Sequence, residues 1–127
     1  MATSHWSVWL SSPTRGEQAE RWLAEQLARR NVELLERNYA CRLGEIDLIL
    51  RHEQVVIFTE VRLRKTSDAG FASVDRHKQR RLIQAARHYL GHSHWDGECR
   101  FDVVAVTPHQ QSFRCDWMVD AFTMSGC

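Results

Sequence analysis

Apolar residues recur along this chain in two rhythms. Across residues 15–30, Ala19, Trp22, Leu23 and Leu27 fall on one helical stripe, and Thr14-x-x-Glu17 reads as a capping box at its start. Residues 32–36 predict a first strand. Two longer apolar runs follow, 45–51 and 54–63, rich in Ile, Val, Leu and Phe, with His52-Glu53 between them. They predict an antiparallel hairpin. Residues 64–73, with Gly70 and several small polar residues, predict a mobile loop. Ser73 is expected to cap a second helix whose buried face is Leu82, Ile83, Ala86, Tyr89 and Leu90, with Gly91 as its stop. Residues 101–107 predict a fourth strand ended by Pro108, and 113–119 a fifth, followed by a short turn or helix. The order αβββαβ, with a small addition, predicts an α/β fold: a mixed sheet with helices on both faces.

The hairpin carries the most informative feature of the chain. Acidic residues stand inside both apolar runs, in Gly44-Glu45-Ile46-Asp47-Leu48-Ile49-Leu50 and in Phe58-Thr59-Glu60-Val61-Arg62. A carboxylate is costly to bury unless it is paired or holds a metal. With a two-residue connection at His52-Glu53, Arg51 faces Gln54, Asp47 faces Phe58 and Glu45 faces Glu60. Side chains alternate along strands. Glu45, Asp47 and Ile49 then share a face with Val56, Phe58, Glu60 and Arg62. Ile46, Leu48 and Leu50 share the other with Val55, Ile57, Val61 and Leu63. Both faces are apolar enough to be covered. Asp47 and Glu60 become diagonal neighbours, roughly 7–8 Å apart at the backbone, close enough to converge on one cation. The plain alternative is an ion pair of Glu60 and Arg62 with Asp47 nearby. Glu45 is expected to pair with a neighbouring arginine.

At 127 residues there is room for one core, in a domain over 14–127 preceded by a loose leader over 1–13 that carries Trp6 and Trp9. The leader has neither a basic start nor a continuous apolar stretch, so it does not resemble a signal peptide. There is no apolar run long enough to span a bilayer. Cys41, Cys99, Cys115 and Cys127 include no C-x-x-C, which favours reduced thiols and a cytoplasmic location. His88, His92, His94 and Cys99 match no structural zinc spacing and read as a polar connection after a helix. Net charge is only +1, but Arg62, Arg64, Lys65, Arg76, Lys78, Arg80, Arg81 and Arg87 crowd one segment against Asp68 and Asp75. That excess suits a phosphate-binding surface, although a charged helix face is more commonly just solvated.

Gly16-Glu17, Arg37-Asn38, Gly44-Glu45-Ile46-Asp47-Leu48-Ile49, Glu60-Val61-Arg62, Lys78-Gln79-Arg80-Arg81-Leu82 and Arg100-Phe101-Asp102-Val103-Val104 together resemble the YraN-type family of bacterial proteins. That family looks like a compact branch of the PD-(D/E)XK superfamily, with the restriction-endonuclease-like fold and archaeal Holliday-junction resolvases as functional analogues. The resemblance implies a metal-dependent endonuclease acting on DNA, with branched or flapped DNA as the analogy. It places Asp47 and Glu60 as ligands of Mg²⁺ or Mn²⁺, Glu17 as the helix acid and the Val61 carbonyl as a further ligand. It places Arg62 where the superfamily has lysine. Arginine cannot give up its proton in a useful range, so Arg62 can clamp a phosphate but cannot be the general base. Lys65 and Lys78 are the only lysines among 17 Lys and Arg residues, and Lys78 is the candidate for a relocated catalytic lysine. Arg64, Lys65, Arg76, Lys78, Gln79, Arg80 and Arg81 are the candidate nucleic-acid contacts. A homodimer is expected if junctions are cut, with the Trp117-Met118 region as one contributor. Two other classes compete: a catalytically silent nucleic-acid-binding module, because of Arg62, and a partner-binding adaptor on a nuclease fold.

Overall fold

The computed structural model describes residues 15–124. Thr14, the 1–13 leader and Cys127 lie outside them. The described chain runs α1 (Arg15–Ala28), β1 (Glu33–Cys41), β2 (Gly44–His52), β3 (Val55–Leu63), α2 (Ser67–Ala72), α3 (Arg76–Ser93), β4 (Glu98–His109) and β5 (Ser112–Phe122). The strands form one sheet in the order β1-β2-β3-β4-β5. Only β3 and β4 pair in parallel. A parallel pair needs a long crossover, and here α2 and α3 supply it.

Each sheet face is covered, as the two apolar runs require. Trp22, Leu23 and Leu27 of α1 pack on Leu48, Leu50, Ile57, Val104 and Val106. On the opposite face Leu82, Ile83, Ala85 and Ala86 of α3 pack on Ile49, Val56, Phe58, Phe101 and Val103. Each fully buried large side chain stabilises the fold by roughly 1.5–3 kcal/mol. No helix among the described residues is long and apolar enough to cross a membrane.

Several sequence expectations are corrected. The β2–β3 connection is Glu53-Gln54, not His52-Glu53, and Glu53 takes a positive φ of 56°. His52 pairs with Val55, Arg51 with Val56 and Leu48 with Thr59. The register is therefore shifted by two residues. The paired ladder stops at Leu48–Thr59, one step short of Asp47 and Glu60, which still lie side by side. β1 extends to Cys41 because its outer half is a largely exposed edge, which carries no burial alternation to read. The expected 64–73 loop contains α2. Thr66 accepts a hydrogen bond from the Ala69 N–H at its start, and Ser73 closes its end rather than opening α3. Asp75 caps α3 instead, accepting from the Lys78 N–H. That helix runs through Gly91 and stops at His94, in the left-handed conformation. Pro108 lies inside β4, paired with Phe113. The β3 partner ends at Val106, so the missing N–H of Pro108 costs no ladder bond on that side. β5 continues past residue 119 to Phe122.

Two glycines allow the helices to seat. A Cβ on Gly44 would stand 2.6 Å from the Arg81 carbonyl oxygen, so α3 rests its backbone directly on the start of β2. A Cβ on Gly70 would stand 2.8 Å from the Ala105 Cβ, which seats α2 on β4.

Candidate functional site

The ladder joining β2 and β3 runs from His52–Val55 to Leu48–Thr59. One step further the strands part. The Asp47 carboxylate takes the place of a ladder partner and accepts the Val61 N–H at 2.8 Å. The expected alternation breaks here. Ile46 joins the α3-side core while Leu48 and Leu50 join the α1-side core, although all three were expected on one face. Asp47 thus sits in a fork between two strands, reached from one side by α1 and from the other by α3.

Glu60 faces Asp47 across the fork and is only 5% exposed. Two cations reach its Oε2: Arg62 Nη2 at 3.5 Å and Lys78 Nζ at 3.6 Å. Lys78 comes from the first turn of α3, whose close approach Gly44 permits. Glu60 nevertheless holds a proton. Burial, then the Asp47 charge, pushes Glu60 up to about 8, against Lys78 and Arg62. Burial also raises Asp47, opposed by the Val61 N–H, a hydrogen bond with Glu60, and Arg62 and Lys78. The ion pairs and the raised value pull Glu60 in opposite directions. Burial beside a second carboxylate is the stronger influence, so Glu60 is the acid that donates to Asp47.

A third acid was missed in the sequence. Glu20, on α1, is pushed up to about 7 by burial first, then by the Asp47 and Glu17 charges and a hydrogen bond with Asp47, against Arg37. Glu17, the expected helix acid, is exposed on the first turn of α1 and acts on Glu20. One turn separates the two, and a lone Glu in a charged helix carries no signal that it faces a site. Glu45 is exposed. Arg64, Lys65, Arg76, Arg80 and Arg81 are exposed, and Gln79 is half-buried. His88 and His92 belong to α3, and the described residues contain no group of three His, Cys, Asp or Glu side chains placed to hold a metal.

Asp102 supplies the contrast that identifies the fork. It is 1% exposed, yet fully satisfied. Arg100 Nε and Nη2 donate to its carboxylate at 3.0–3.2 Å, Trp117 Nε1 at 2.6 Å and the Asp120 N–H at 2.8 Å. That acid is structural: it fastens β5 to β4 where their register shifts. The fork acids have no such set of donors. They crowd one another, and Arg62 Nε beside them is shielded from solvent without a hydrogen bond. Under-satisfied polar groups with perturbed acids mark functional sites.

A family model described as "Uncharacterised protein family UPF0102" matches residues 19–106. The chain belongs to the UPF0102 family. It is 47% identical over 111 residues to a UPF0102 protein of Methylococcus capsulatus, covering 86% of this chain and 90% of that one. A UPF0102 protein of Alcanivorax borkumensis is 45% identical over 117 residues, covering 88% and 94%. One of Nitrosomonas europaea is 42% identical over 117 residues, covering 91% and 98%. The stretch matched by the UPF0102 model contains Glu20, Asp47, Glu60, Arg62 and Lys78, the residues that meet at the fork.

Proposed function

We propose that this chain is a nuclease that uses Mg²⁺ or Mn²⁺ to hydrolyse phosphodiester bonds of nucleic acid, DNA being the expected substrate. The observation that carries the reading is the fork itself. Asp47 and Glu60 share it, Arg62 and Lys78 converge on Glu60, and the crowded Glu60 retains a proton that a cation would displace. The donors fit a hard cation. Mg²⁺ takes one or two carboxylates and completes its shell with waters and substrate phosphate, rather than with an all-protein cage. Asp47 and Glu60 would hold it. In a strand the N–H and C=O of one residue point to the same side, so the Val61 carbonyl faces the fork as its N–H does. The metal, when bound, neutralises charge on the phosphate and acidifies a coordinated water.

The chain's own residues do the rest. The Val61 N–H holds the Asp47 carboxylate in place. Arg62 Nη2 reaches Glu60 while its Nε lacks a hydrogen-bond partner, and the guanidinium would pair with a phosphate oxygen. Arg62 keeps its charge throughout. Lys78 Nζ, 3.6 Å from Glu60, is the basic group at the fork that can exchange a proton. It occupies in space the place that Arg62 leaves open in sequence. Arg64, Lys65, Arg76, Gln79, Arg80 and Arg81 supply backbone contacts that fix the substrate without reading its sequence.

The test is a labelled panel of branched, flapped, single- and double-stranded DNA and RNA with Mg²⁺, Mn²⁺ or EDTA, run beside Asp47→Ala and Glu60→Ala. Metal-dependent cleavage lost in both variants supports the nuclease. Salt-sensitive binding without cleavage under any metal would instead favour the silent binding module, which Arg62 makes the second reading.

A further inference from the structure

A cleft of about 480 Å³ opens between the first two turns of α3 and the end of β5, lined among others by Arg76, Gln79, Arg80, Asp120 and Phe122. Its size falls within the roughly 300–1,000 Å³ of small-molecule sites. It is far too small for a duplex. The lining divides by chemistry. Arg76 and Arg80 are exposed and four residues apart, so they share one side of α3. Against them stands one carboxylate, Asp120, leaving a net charge that one phosphodiester would neutralise. The Gln79 amide is oriented, because its Nε2 donates to the Val74 carbonyl at 3.1 Å, which leaves its oxygen as an acceptor. Asp120 is also anchored: its φ is 56° and its N–H is held by Asp102. Phe122 stacks on Phe101 at 4.8 Å and 21°, which makes it a stiff aromatic wall.

Two guanidinium groups, two acceptors and an aromatic wall match the phosphate, the base edge and the base face of a nucleotide. We infer that this cleft is a subsite for one unpaired nucleotide next to the cleavage position, so that flapped or single-stranded nucleic acid is preferred to continuous duplex. The inference rests on the nuclease reading only for the words "cleavage position". Lys78, which reaches Glu60, is the chain neighbour of Gln79, which lines the cleft, so fork and cleft are served by the same turn of α3. A strand with a phosphate at the fork can place a nearby nucleotide in the cleft only if its base has left the helical stack.

Binding in EDTA separates this subsite from catalysis. The intact chain is titrated by fluorescence anisotropy into a labelled single strand, a flapped duplex and a blunt duplex. The single strand and flap should bind about tenfold or more tighter than the duplex. Arg80→Glu and Phe122→Leu should each remove most of that preference, and Arg76→Ala should lower the salt slope for the single strand by about 0.7. Equal affinities in the unaltered chain, or variants that weaken flap and duplex in parallel, would overturn the subsite. Because Phe122 also packs, the exposed Arg80 decides if the Phe122 variant fails to fold. Cleavage with Mn²⁺ is scored separately. Preference without cleavage would remove the nuclease reading and keep the subsite, and cleavage without preference would do the reverse.

Discussion

Replacing Glu60 by glutamine should make the metal-free protein more stable relative to the unaltered chain as pH rises. The folded-state value of Glu60 lies at about 8, against 4.5 for the unperturbed group. A group raised in this way contributes fully to stability below pH 4.5 and loses that contribution as pH climbs through 8. The loss is about 3 kcal/mol by pH 7 and approaches about 5 kcal/mol above pH 9, from 1.36 kcal/mol per unit. Glutamine keeps the shape of the protonated acid and its hydrogen bond to Asp47, but it has nothing to ionise. It also gives up the contacts of the ionised carboxylate with Arg62 and Lys78. The decisive quantity is the slope, not the offset. Urea unfolding in EDTA at pH 5, 7 and 8.5 should show the variant gaining on the unaltered chain by several kcal/mol. A difference that stays flat across that range would mean that Glu60 is ionised throughout, and the argument from crowded acids would fail. Adding Mn²⁺ at pH 8 should then stabilise the unaltered chain by about 2.7 kcal/mol at a hundredfold excess over Kd, and Glu60→Gln much less.

Three further outcomes follow from the same geometry. Lys78→Ala should lower cleavage about 10²–10³-fold while circular dichroism and thermal midpoint hold, since the Lys78 side chain is 39% exposed and, among the described residues, pairs with Glu60; retained activity would sink the relocated-lysine idea. Asp102→Asn should destabilise the fold by about 3–5 kcal/mol in urea, because Arg100 loses its charge partner and an amide N–H₂ meets donors from Trp117 or Asp120. Gly44→Ala should cost about 1–3 kcal/mol, because its Cβ meets the Arg81 carbonyl oxygen at 2.6 Å, and a neutral result would show that α3 can move off β2 freely.

Much of the fold follows from local patterns of burial. The stripe Ala19, Trp22, Leu23 and Leu27, and the face Leu82, Ile83 and Ala86, are legible because a helix that buries one side must repeat apolar residues every three or four positions. Asp47 and Glu60 are conspicuous for the converse reason: a carboxylate within an apolar strand opposes the burial around it, so its oddity is visible without knowing its neighbours. Their shared face also survived a register wrong by two residues, since side chains repeat with period two. What the sequence could not decide was every relation between distant elements. Glu20 looks like any solvated helix acid until α1 lies across the fork. Asp102 looks as suspect as Asp47 until Trp117 and Asp120 arrive from the adjacent strand to satisfy it. Lys78 comes within reach of Glu60 only when Gly44 lets α3 settle onto β2. A residue's own burial is written in the chain around it; whether its charge is met depends on groups that only the tertiary structure brings within reach.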